Sequence, residues 1–228
     1  MARETSQVSQ EIAVTKDGDL TLELQDGAQV RVVVSPNIHS SLFVDSLGSA
    51  DLDVVLKEGA HLDCVCLSGD GSIVSVFDLQ GQGSALDVAH VMVSGNVHDV
   101  DLRVTHNGQL TSSKISMRGV AKGNADMSSI GSVSLIGDGS VSTLTDHVLL
   151  VGDAKALAEP NMEVHTDEVR ASHAGSTARI DDEQVFYLSS RGLSEAQAAS
   201  LIIQGFILQV VPVSMRHKVA LRFPEVFQ

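Results

Sequence analysis

The sequence predicts a mainly β protein with a short helical tail, because three features occur together along its 228 residues. Glycine recurs at nearly regular intervals through the middle of the chain, at positions 48, 59, 71, 83, 95, 108, 119 and 131. Apolar and polar residues alternate in several of the segments that follow these glycines. Aromatic residues are scarce, with no Trp, one Tyr and six Phe. A turn about every 12 residues and a core of small aliphatic side chains indicate many short, stacked strands.

Two arrangements of these strands fit the pattern almost equally well. Alternation with a period of two buries one face of each strand, as in GSADLDVVL, GAHLDCVCL and GSALDVAHV. Four turn dipeptides typical of hairpins favour an antiparallel sandwich. They are Asp26-Gly27, Asp70-Gly71, Asn107-Gly108 and Asp138-Gly139. The regular spacing and the scarcity of aromatic residues favour a β-helix, in which each coil stacks on the next, and tip the interpretation towards it.

The alternating pattern stops near Pro160, and the chain reads as helical from Ser194. Ser194 and Gln197 form a capping-box signature at the start of SEAQAASLIIQGFI. The expected apolar face of this helix consists of Ala198, Leu201, Ile202 and Phe206. Pro212 is expected to interrupt the helix, and VSMRHKVALRF to form a second short one. The sequence thus predicts three segments: a polar N-terminal segment at 1–10, a β-helix core at 11–185 and a C-terminal helical domain at 186–228.

The composition argues against several classes of partner. A formal net charge of −14 disfavours binding to nucleic-acid phosphates, which requires clustered Lys and Arg. No segment approaches the roughly 18 consecutive apolar residues of a membrane span, and the first residues lack the apolar region of a secretory signal. Two cysteines are too few for a disulfide framework. We therefore expect a cytoplasmic protein that binds neither nucleic acid nor membrane.

The stretch from Glu159 to Phe206 contains an ordered string of short motifs. They are Pro160 with Met162-Glu163-Val164, Asp167 and Val169, Ser172-His173, Ile180-Asp181, Phe186-Tyr187-Leu188, Ser190-Arg191-Gly192 and Gly205-Phe206. In this order they resemble the core of the SufB/SufD proteins, which are scaffold components of iron–sulfur cluster assembly. The resemblance extends, more loosely at its beginning, from about Val104 to Ile207.

The resemblance implies a right-handed parallel β-helix followed by a helical domain. It also implies that the β-helix pairs with a second subunit, either another copy of this chain or a SufB-like protein. The C-terminal helices would bind an ABC-type ATPase like SufC, and the complex would carry a transient iron–sulfur cluster. This chain has no Gly-x-x-x-x-Gly-Lys-Ser/Thr motif, so we expect ATP to bind the partner and the chain to be a scaffold rather than an enzyme.

The chain departs from the family pattern at three points. Ala174 follows the histidine where SufB-type proteins have Glu, and no cysteine follows Cys66 where they have a late one. The strands also begin almost at the first residue, where the family usually has another domain. The pattern is closer to SufD, and one alternative is a structural homologue without cluster chemistry. A carbohydrate-acting β-helix enzyme is a weaker alternative, because such enzymes line their grooves with aromatic rings.

His173 is the leading candidate for a cluster ligand by this resemblance. Neutral imidazole is a suitable ligand for iron, and the Gly and Ser residues beside it would leave it accessible. A single histidine is an incomplete site, so a partner subunit would supply the other ligands. The alternative is a hydrogen-bonded histidine at the end of the β-helix.

Cys64 and Cys66 are a second pair of candidate ligands. They lie two residues apart in a strand pattern, so their side chains share one face, and thiolates are the usual ligands of iron–sulfur clusters. The pair alternates with Asp63 and Val65, however, which is typical of residues that fill a core. Core packing is the favoured interpretation.

Phe186, Tyr187, Arg191 and Gly192 are the candidate partner-binding residues, since the resemblance implies that this region meets the ATPase. Tyr and Arg are enriched at binding hot spots. Alternatively, Tyr187 anchors the tail to the β body. The remaining candidates are interpreted as structural. The histidines are expected to be surface or hydrogen-bonded core residues, and among them His106 is slightly favoured as a functional residue because it lies in the segment that the resemblance covers. The acids are expected to form a solvated turn next to a helix boundary. The histidines are His61, His90, His98, His106, His147 and His165, and the acids are Asp181, Asp182 and Glu183.

Overall fold

A computed structural model describes residues 9–227, so most of the polar segment expected at 1–10 lies outside the described residues. Within 9–227 the chain forms fourteen strands followed by three α-helices. The strands are β1 (Gln10–Val14), β2 (Gly18–Leu24), β3 (Ala28–Val34), β4 (His39–Ser46), β5 (Ala50–Leu56), β6 (His61–Ser68), β7 (Gly71–Leu79), β8 (Ala85–Ser94), β9 (Val97–His106), β10 (Ser112–Gly123), β11 (Asp126–Leu135), β12 (Val141–Gly152), β13 (Lys155–Val164) and β14 (Arg170–Arg179). The helices are α1 (Asp182–Ser190), α2 (Glu195–Leu208) and α3 (Arg216–Arg222), with 3-10 turns at Val213–Met215 and Pro224–Val226.

The strands form two sheets of seven, and every pair of neighbouring strands in them is parallel. The odd-numbered strands form one sheet, here called sheet A, and the even-numbered strands form the other, sheet B. Each coil of the chain therefore adds one strand to each sheet. This is a parallel β-solenoid, which confirms the β-helix and rules out the antiparallel sandwich.

The coils lengthen along the chain. Gln10 pairs with Val30 in the first coil, whereas Leu144 pairs with His173 in the last, so the offset in sequence between register partners grows. Each interval between the regularly spaced glycines is thus about half a coil. Gly27 has φ 81°, a left-handed conformation that glycine adopts readily. The hairpin interpretation of its Asp-Gly dipeptide is wrong, because the turn joins the two sheets.

The main core lies between the sheets and consists of aliphatic side chains stacked from coil to coil. Phe77 is its largest fully buried side chain, and Leu102 and Ile115 are also completely buried. In sheet B one inward-facing row passes through register partners on six consecutive strands. The row is Leu42, Cys64, Val88, Ile115, Leu144 and His173.

The C-terminal tail packs on the outer face of sheet B and forms a second core there. Val65, Leu67 and Val91 contribute from the sheet, and Ile203 and Ile207 from α2. Because the tail covers this face, the second halves of β6 and β8 are buried on both sides and lose their alternation. The solenoid and the tail therefore share one continuous folded body.

Polar contacts fasten the end of the tail to the same sheet. Arg222 Nε lies 2.7 Å from the Asp45 carboxylate, and Lys218 Nζ lies 4.2 Å from the centre of the Phe43 ring. Both partners lie on β4, so the tail contacts the N-terminal coils as well as the later ones. No helix within the described residues is both long enough and apolar enough to cross a membrane.

The helical predictions are confirmed in part. The Ser194 and Gln197 capping box forms, α2 ends before Pro212, and α3 forms where the sequence indicates it. The apolar face differs from the prediction, since Leu201 is 48% exposed. α1 is an additional helix, lying partly inside the segment 11–185 that the sequence assigns to the β-helix.

Candidate functional site

The last coil, formed by β13 and β14, is the least covered part of the solenoid. All ten residues of β14 are exposed, whereas the corresponding part of β12 alternates between buried and exposed residues. β14 is also the edge strand of sheet B, and β13 is the edge strand of sheet A. One end of the solenoid therefore presents two strand edges and the inward-facing side chains of the final coil.

His173 lies in this exposed coil, on the row of sheet B that faces the interior. Its register partner Leu144 is fully buried, but no further coil covers His173 itself. Among residues 9–227, His173 belongs to no set of three His, Cys or carboxylate side chains close enough to share a metal ion. The imidazole is thus accessible, and the part of the chain that the structure describes places no complete ligand set around it.

Asp146 is a buried carboxylate one strand inside the open end, a feature that sequence reasoning missed. Neither of its oxygens has a hydrogen-bond partner among the described residues. Burial raises the pKa of Asp146 to about 7, and nearby Ser129 and Arg118 oppose this only in part. Ser129 is hydrogen-bonded to Met92 instead, at 3.7 Å. A carboxyl group with this pKa changes its charge near neutral pH.

The cover over Asp146 is thin because the residue above it is glycine. Gly175 on β14 is its register partner. A Cβ at this position would lie 2.9 Å from ring atoms of Pro160, so a larger residue would displace the last coil. Gly175, two residues after His173, thus permits close packing of β14 against β13.

Cys64 and Cys66 lie in the core of the solenoid, about 19 Å from His173 along the sheet, or four strand spacings. Both side chains are buried, and their sulfur atoms are 3.5 Å apart. The contact with Cys66 and burial raise the pKa of the Cys64 thiol well above its ordinary value. A buried, protonated thiol is a weak metal ligand. The structure does not bring these cysteines together with His173.

Three of the remaining histidines form buried polar contacts in the core. His90 and His98 both contact the Ser68 hydroxyl at 2.9 Å. His106 contacts Thr111 and Ser113 at 2.7 and 2.8 Å. Burial lowers the pKa of His90 to about 3 and that of His106 to about 4. These imidazoles are neutral structural groups, in agreement with the sequence interpretation.

The four candidate partner-binding residues lie in and just after α1. Phe186 is 77% exposed and Tyr187 is 58% exposed, and α1 buries no residue. The Arg191 guanidinium lies 5.3 Å from the centre of the Tyr187 ring. Gly192 ends the helix with φ 98°, a left-handed conformation that other residues adopt only with strain. The helix thus displays an aromatic pair to solvent beside the open end of the solenoid.

Asp181, Asp182 and Glu183 are exposed, as expected for solvated acids beside a helix boundary, but they form the N-terminus of α1 rather than a turn. The Asp181 carboxylate accepts a hydrogen bond from the Glu183 backbone amide at 2.9 Å. The other two acids occupy the first turn, where negative charge stabilises a helix. Together with Gly192 these residues are start and stop signals that identify the helix in retrospect.

Comparisons with known proteins give a family match over most of the chain. Residues 8–206 match the family model described as SUF system FeS cluster assembly, SufBD core domain. A SufBD family iron–sulfur cluster assembly protein of Mycobacterium tuberculosis is 47% identical over 66 residues, which cover 28% of this chain and 17% of that protein. SufD of Escherichia coli is 30% identical over 137 residues, 58% of this chain and 32% of SufD.

SufD of Bacillus subtilis is 29% identical over 182 residues, which cover 74% of this chain and 42% of that protein. The chain thus spans less than half the length of each of these three relatives. The family match reaches back to residue 8, well before Val104, where the sequence resemblance begins. The glycine-punctuated coils and the motif string therefore form one matched region.

Proposed function

This chain belongs to the SufBD core family of the SUF system for iron–sulfur cluster assembly, and from that premise we propose that it is a non-enzymatic scaffold of a cytoplasmic assembly complex. The uncovered end of the solenoid is the observation that carries the proposal. There the exposed edge strand β14, the accessible His173 and the exposed helix α1 lie on consecutive segments of the chain. The cluster is the cargo of the complex and is held only transiently.

The first part of the proposal is that β14 pairs with a second subunit. An exposed strand edge offers unpaired backbone N–H and C=O groups, and stable monomers usually shield such edges with charge, proline or a covering loop. β14 has small or uncharged residues from Ala171 to Ala178 and no proline. Its arginines are confined to the two ends. Such a strand is suited to pairing with another chain, either a second copy or a SufB-like protein.

The second part concerns His173. Pairing at β14 would bring groups of the partner subunit next to the imidazole, and these would complete a ligand set that residues 9–227 do not supply. Neutral imidazole binds iron through either ring nitrogen. The buried Cys64 and Cys66 remain weaker candidates, because access to them requires several coils to open.

The third part is that α1 and the tail bind an ABC-type ATPase like SufC. Phe186 and Tyr187 provide an exposed aromatic pair, and Arg191 holds a cation over one of the rings. Aromatic and Arg side chains are the residues that most often dominate binding energy at protein interfaces. ATP binding and hydrolysis belong to the partner, and movement of α1 would then be transmitted to the adjacent end of β14.

Pairing is tested by introducing charge on the edge strand. We expect Ala174→Lys to shift this chain, mixed with a SufB-like partner or alone, from pairs to single subunits in sedimentation analysis. Ala13→Lys is the matched control, because it places the same change on β1, the edge strand at the opposite end of the solenoid. Equal pairing of the two variants would contradict the assignment of β14.

ATPase binding is tested by co-purification with the SufC-like protein. The double variant Phe186→Ala and Tyr187→Ala should lose the complex, since it removes the exposed aromatic pair and no core residue. Val97→Ala removes a comparably exposed apolar side chain, 61% exposed, from the solenoid. It should leave binding unchanged. Retention of the complex by the double variant would rule out this docking surface.

Cluster binding is tested by anaerobic reconstitution with iron and sulfide in the presence of the partners. We expect His173→Ala to reduce the amount of bound cluster and to change its absorption spectrum, because one ligand is lost. If the wild type forms a cluster and the variant gives the same spectrum, His173 is not a ligand. If the complete complex forms no cluster at all, this chain is a structural homologue without cluster chemistry.

A further inference from the structure

A compact group of two imidazoles and one carboxylate lies on the outer face of sheet B, far from the open end. His39 is the first residue of β4, and His61 is the first residue of β6. The two are register partners, and Asp63 lies two residues after His61 on the same face of the strand. Within residues 9–227, this is the one group of three such side chains whose ligand atoms all lie within 4.8 Å of one another.

Coil stacking creates this group. One full coil of chain separates His39 from His61, so residues far apart in sequence become neighbours in the sheet. The two rings are stacked, with centroids 4.2 Å apart and planes inclined by 19°. Both Nε2 atoms lie near the same carboxylate, that of Asp63. The next residue along this row is Ala85, so the histidine pair is limited to two coils.

The Asp63 carboxylate contacts the Nε2 atoms of both rings. His39 Nε2 is 3.2 Å from one carboxylate oxygen, and His61 Nε2 is 3.4 Å from the other. In a tetrahedral zinc site with bonds of about 2.0–2.1 Å, neighbouring ligand atoms are about 3.3 Å apart. The two Nε2–carboxylate distances lie on either side of that value. The two Nε2 atoms lie within 4.8 Å of each other, so small side-chain rotations would bring all three residues onto one ion.

The start of β4 is fixed by a separate contact, which limits movement of the site. The His39 backbone amide donates a hydrogen bond to the Asp17 carboxylate at 2.8 Å. Asp87, the register partner of Asp63 on β8, adds further negative charge nearby. All three ligand side chains are at least partly exposed, so an ion has access and water is free to occupy a remaining coordination position.

We propose that His39, His61 and Asp63 form a binding site for a divalent transition-metal ion such as Zn²⁺ or Co²⁺. Two imidazoles and one carboxylate suit borderline cations, whereas Ca²⁺ and Mg²⁺ prefer sites made wholly of oxygen ligands. The site lies on the first coils and uses no residue of the cluster-assembly proposal. It binds one ion per chain and links two successive coils.

The site is tested with the untagged chain and Co²⁺ as the probe, because bound Co²⁺ has a visible absorption spectrum that reports its coordination. Equilibrium dialysis should find one strongly bound ion per chain, and Zn²⁺ should displace it. His39→Gln, His61→Gln and Asp63→Asn should each weaken Co²⁺ binding by about tenfold or more. Removing a residue that only hydrogen-bonds to a metal ligand often weakens binding by about that much, so removing a ligand itself should weaken it at least as far. Bound metal should also raise the melting temperature of the wild type, because the ion binds the folded chain.

Two variants serve as controls for the other histidines. His165→Gln alters an exposed imidazole 3.7 Å from a single carboxylate, that of Glu163, and should bind Co²⁺ like the wild type. His173→Ala should also bind normally, which separates this site from the proposed cluster ligand. The proposal is wrong if the wild type binds no Co²⁺ strongly, or if His39→Gln and His61→Gln bind it as tightly as the wild type.

Discussion

The middle coils and the last coil of this solenoid have the same design but different surroundings. Ile115 on β10 and His173 on β14 occupy the same inward-facing row, two strands apart. Ile115 is completely buried, because coils cover it on both sides. His173 is exposed, because its row ends there. A stacked repeat buries its inner face only where it has neighbours, so the end of the stack is the natural position for an interface.

The largest expected effect tests this difference directly. Ile115→Ala should lower the free energy of unfolding by about 2–5 kcal/mol, because it removes buried methyl groups and leaves a cavity. His173→Ala, in the same row, should change it by less than about 0.5 kcal/mol, because the side chain is exposed. Urea unfolding of the isolated chain measures both. Comparable losses for the two variants would mean that the last coil is covered in solution.

The alternating pattern predicted this contrast only in part. It indicated that Cys64 and Cys66 face a core, and the structure has both side chains buried. The same alternation does not reveal that the core stops at Leu144, because His173 continues the pattern. Burial depends on whether another coil follows in space, and local sequence does not encode that. The motif string around His173, by contrast, indicated the family from sequence alone.

Coil length was a second limit on prediction from sequence. Glycine spacing indicated a turn about every 12 residues, but only the strand register shows that this interval is half a coil and that the full coil lengthens from the first strands to the last. Without the register, nothing in the sequence relates His39 to His61, and His61 was interpreted as one of several scattered surface or core histidines. The Asp-Gly turns were equally ambiguous, because a left-handed glycine serves a hairpin and a sheet-to-sheet turn alike. Contacts between coils therefore required the structure.

The next prediction concerns Asp146, which lies between the covered coils and the open one. Its pKa is raised from 3.8 to about 7 by burial, so the folded state holds a proton that the unfolded state releases between those values. The carboxyl's contribution to stability is therefore present at low pH and is lost as the pH rises from about 4 to about 7. Above pH 7 the folded protein contains a buried carboxylate that accepts no hydrogen bond from the described residues, and the nearby Arg118 offsets its charge only in part.

Asp146→Asn removes this charge and should be more stable than the wild type by about 1–3 kcal/mol at about pH 8. At about pH 4.5, where the wild-type carboxyl is protonated, the two proteins should differ little. Urea unfolding at both pH values measures the difference, and the buried histidines contribute equally to both proteins. If the gap between them does not widen with pH, Asp146 is hydrated or paired through the open end.

The smallest effects are expected for the N-terminal capping residues of α1 and α2, the first two helices after the solenoid. The Ser194 cap stabilises α2, which buries Ile203 and Ile207 against sheet B. Losing the cap should therefore lower the stability of the whole fold. Ser194→Ala should therefore lower the free energy of unfolding by about 1 kcal/mol. The cap of α1 supports a helix with no fully buried residue, although Val185 and Leu188 are half-buried. Asp181→Ala should change global stability by less than about 0.5 kcal/mol.

Hydrogen exchange should show which segments Asp181→Ala destabilises. Amides of α1 should exchange faster in this variant, because local opening of an exposed helix needs no unfolding of the solenoid. Exchange in α2 and in the middle strands should remain as in the wild type. If the global loss instead equals that of Ser194→Ala, α1 is packed against the body in solution. Phe186 and Tyr187 would still face solvent, so docking through them is decided by the co-purification experiment.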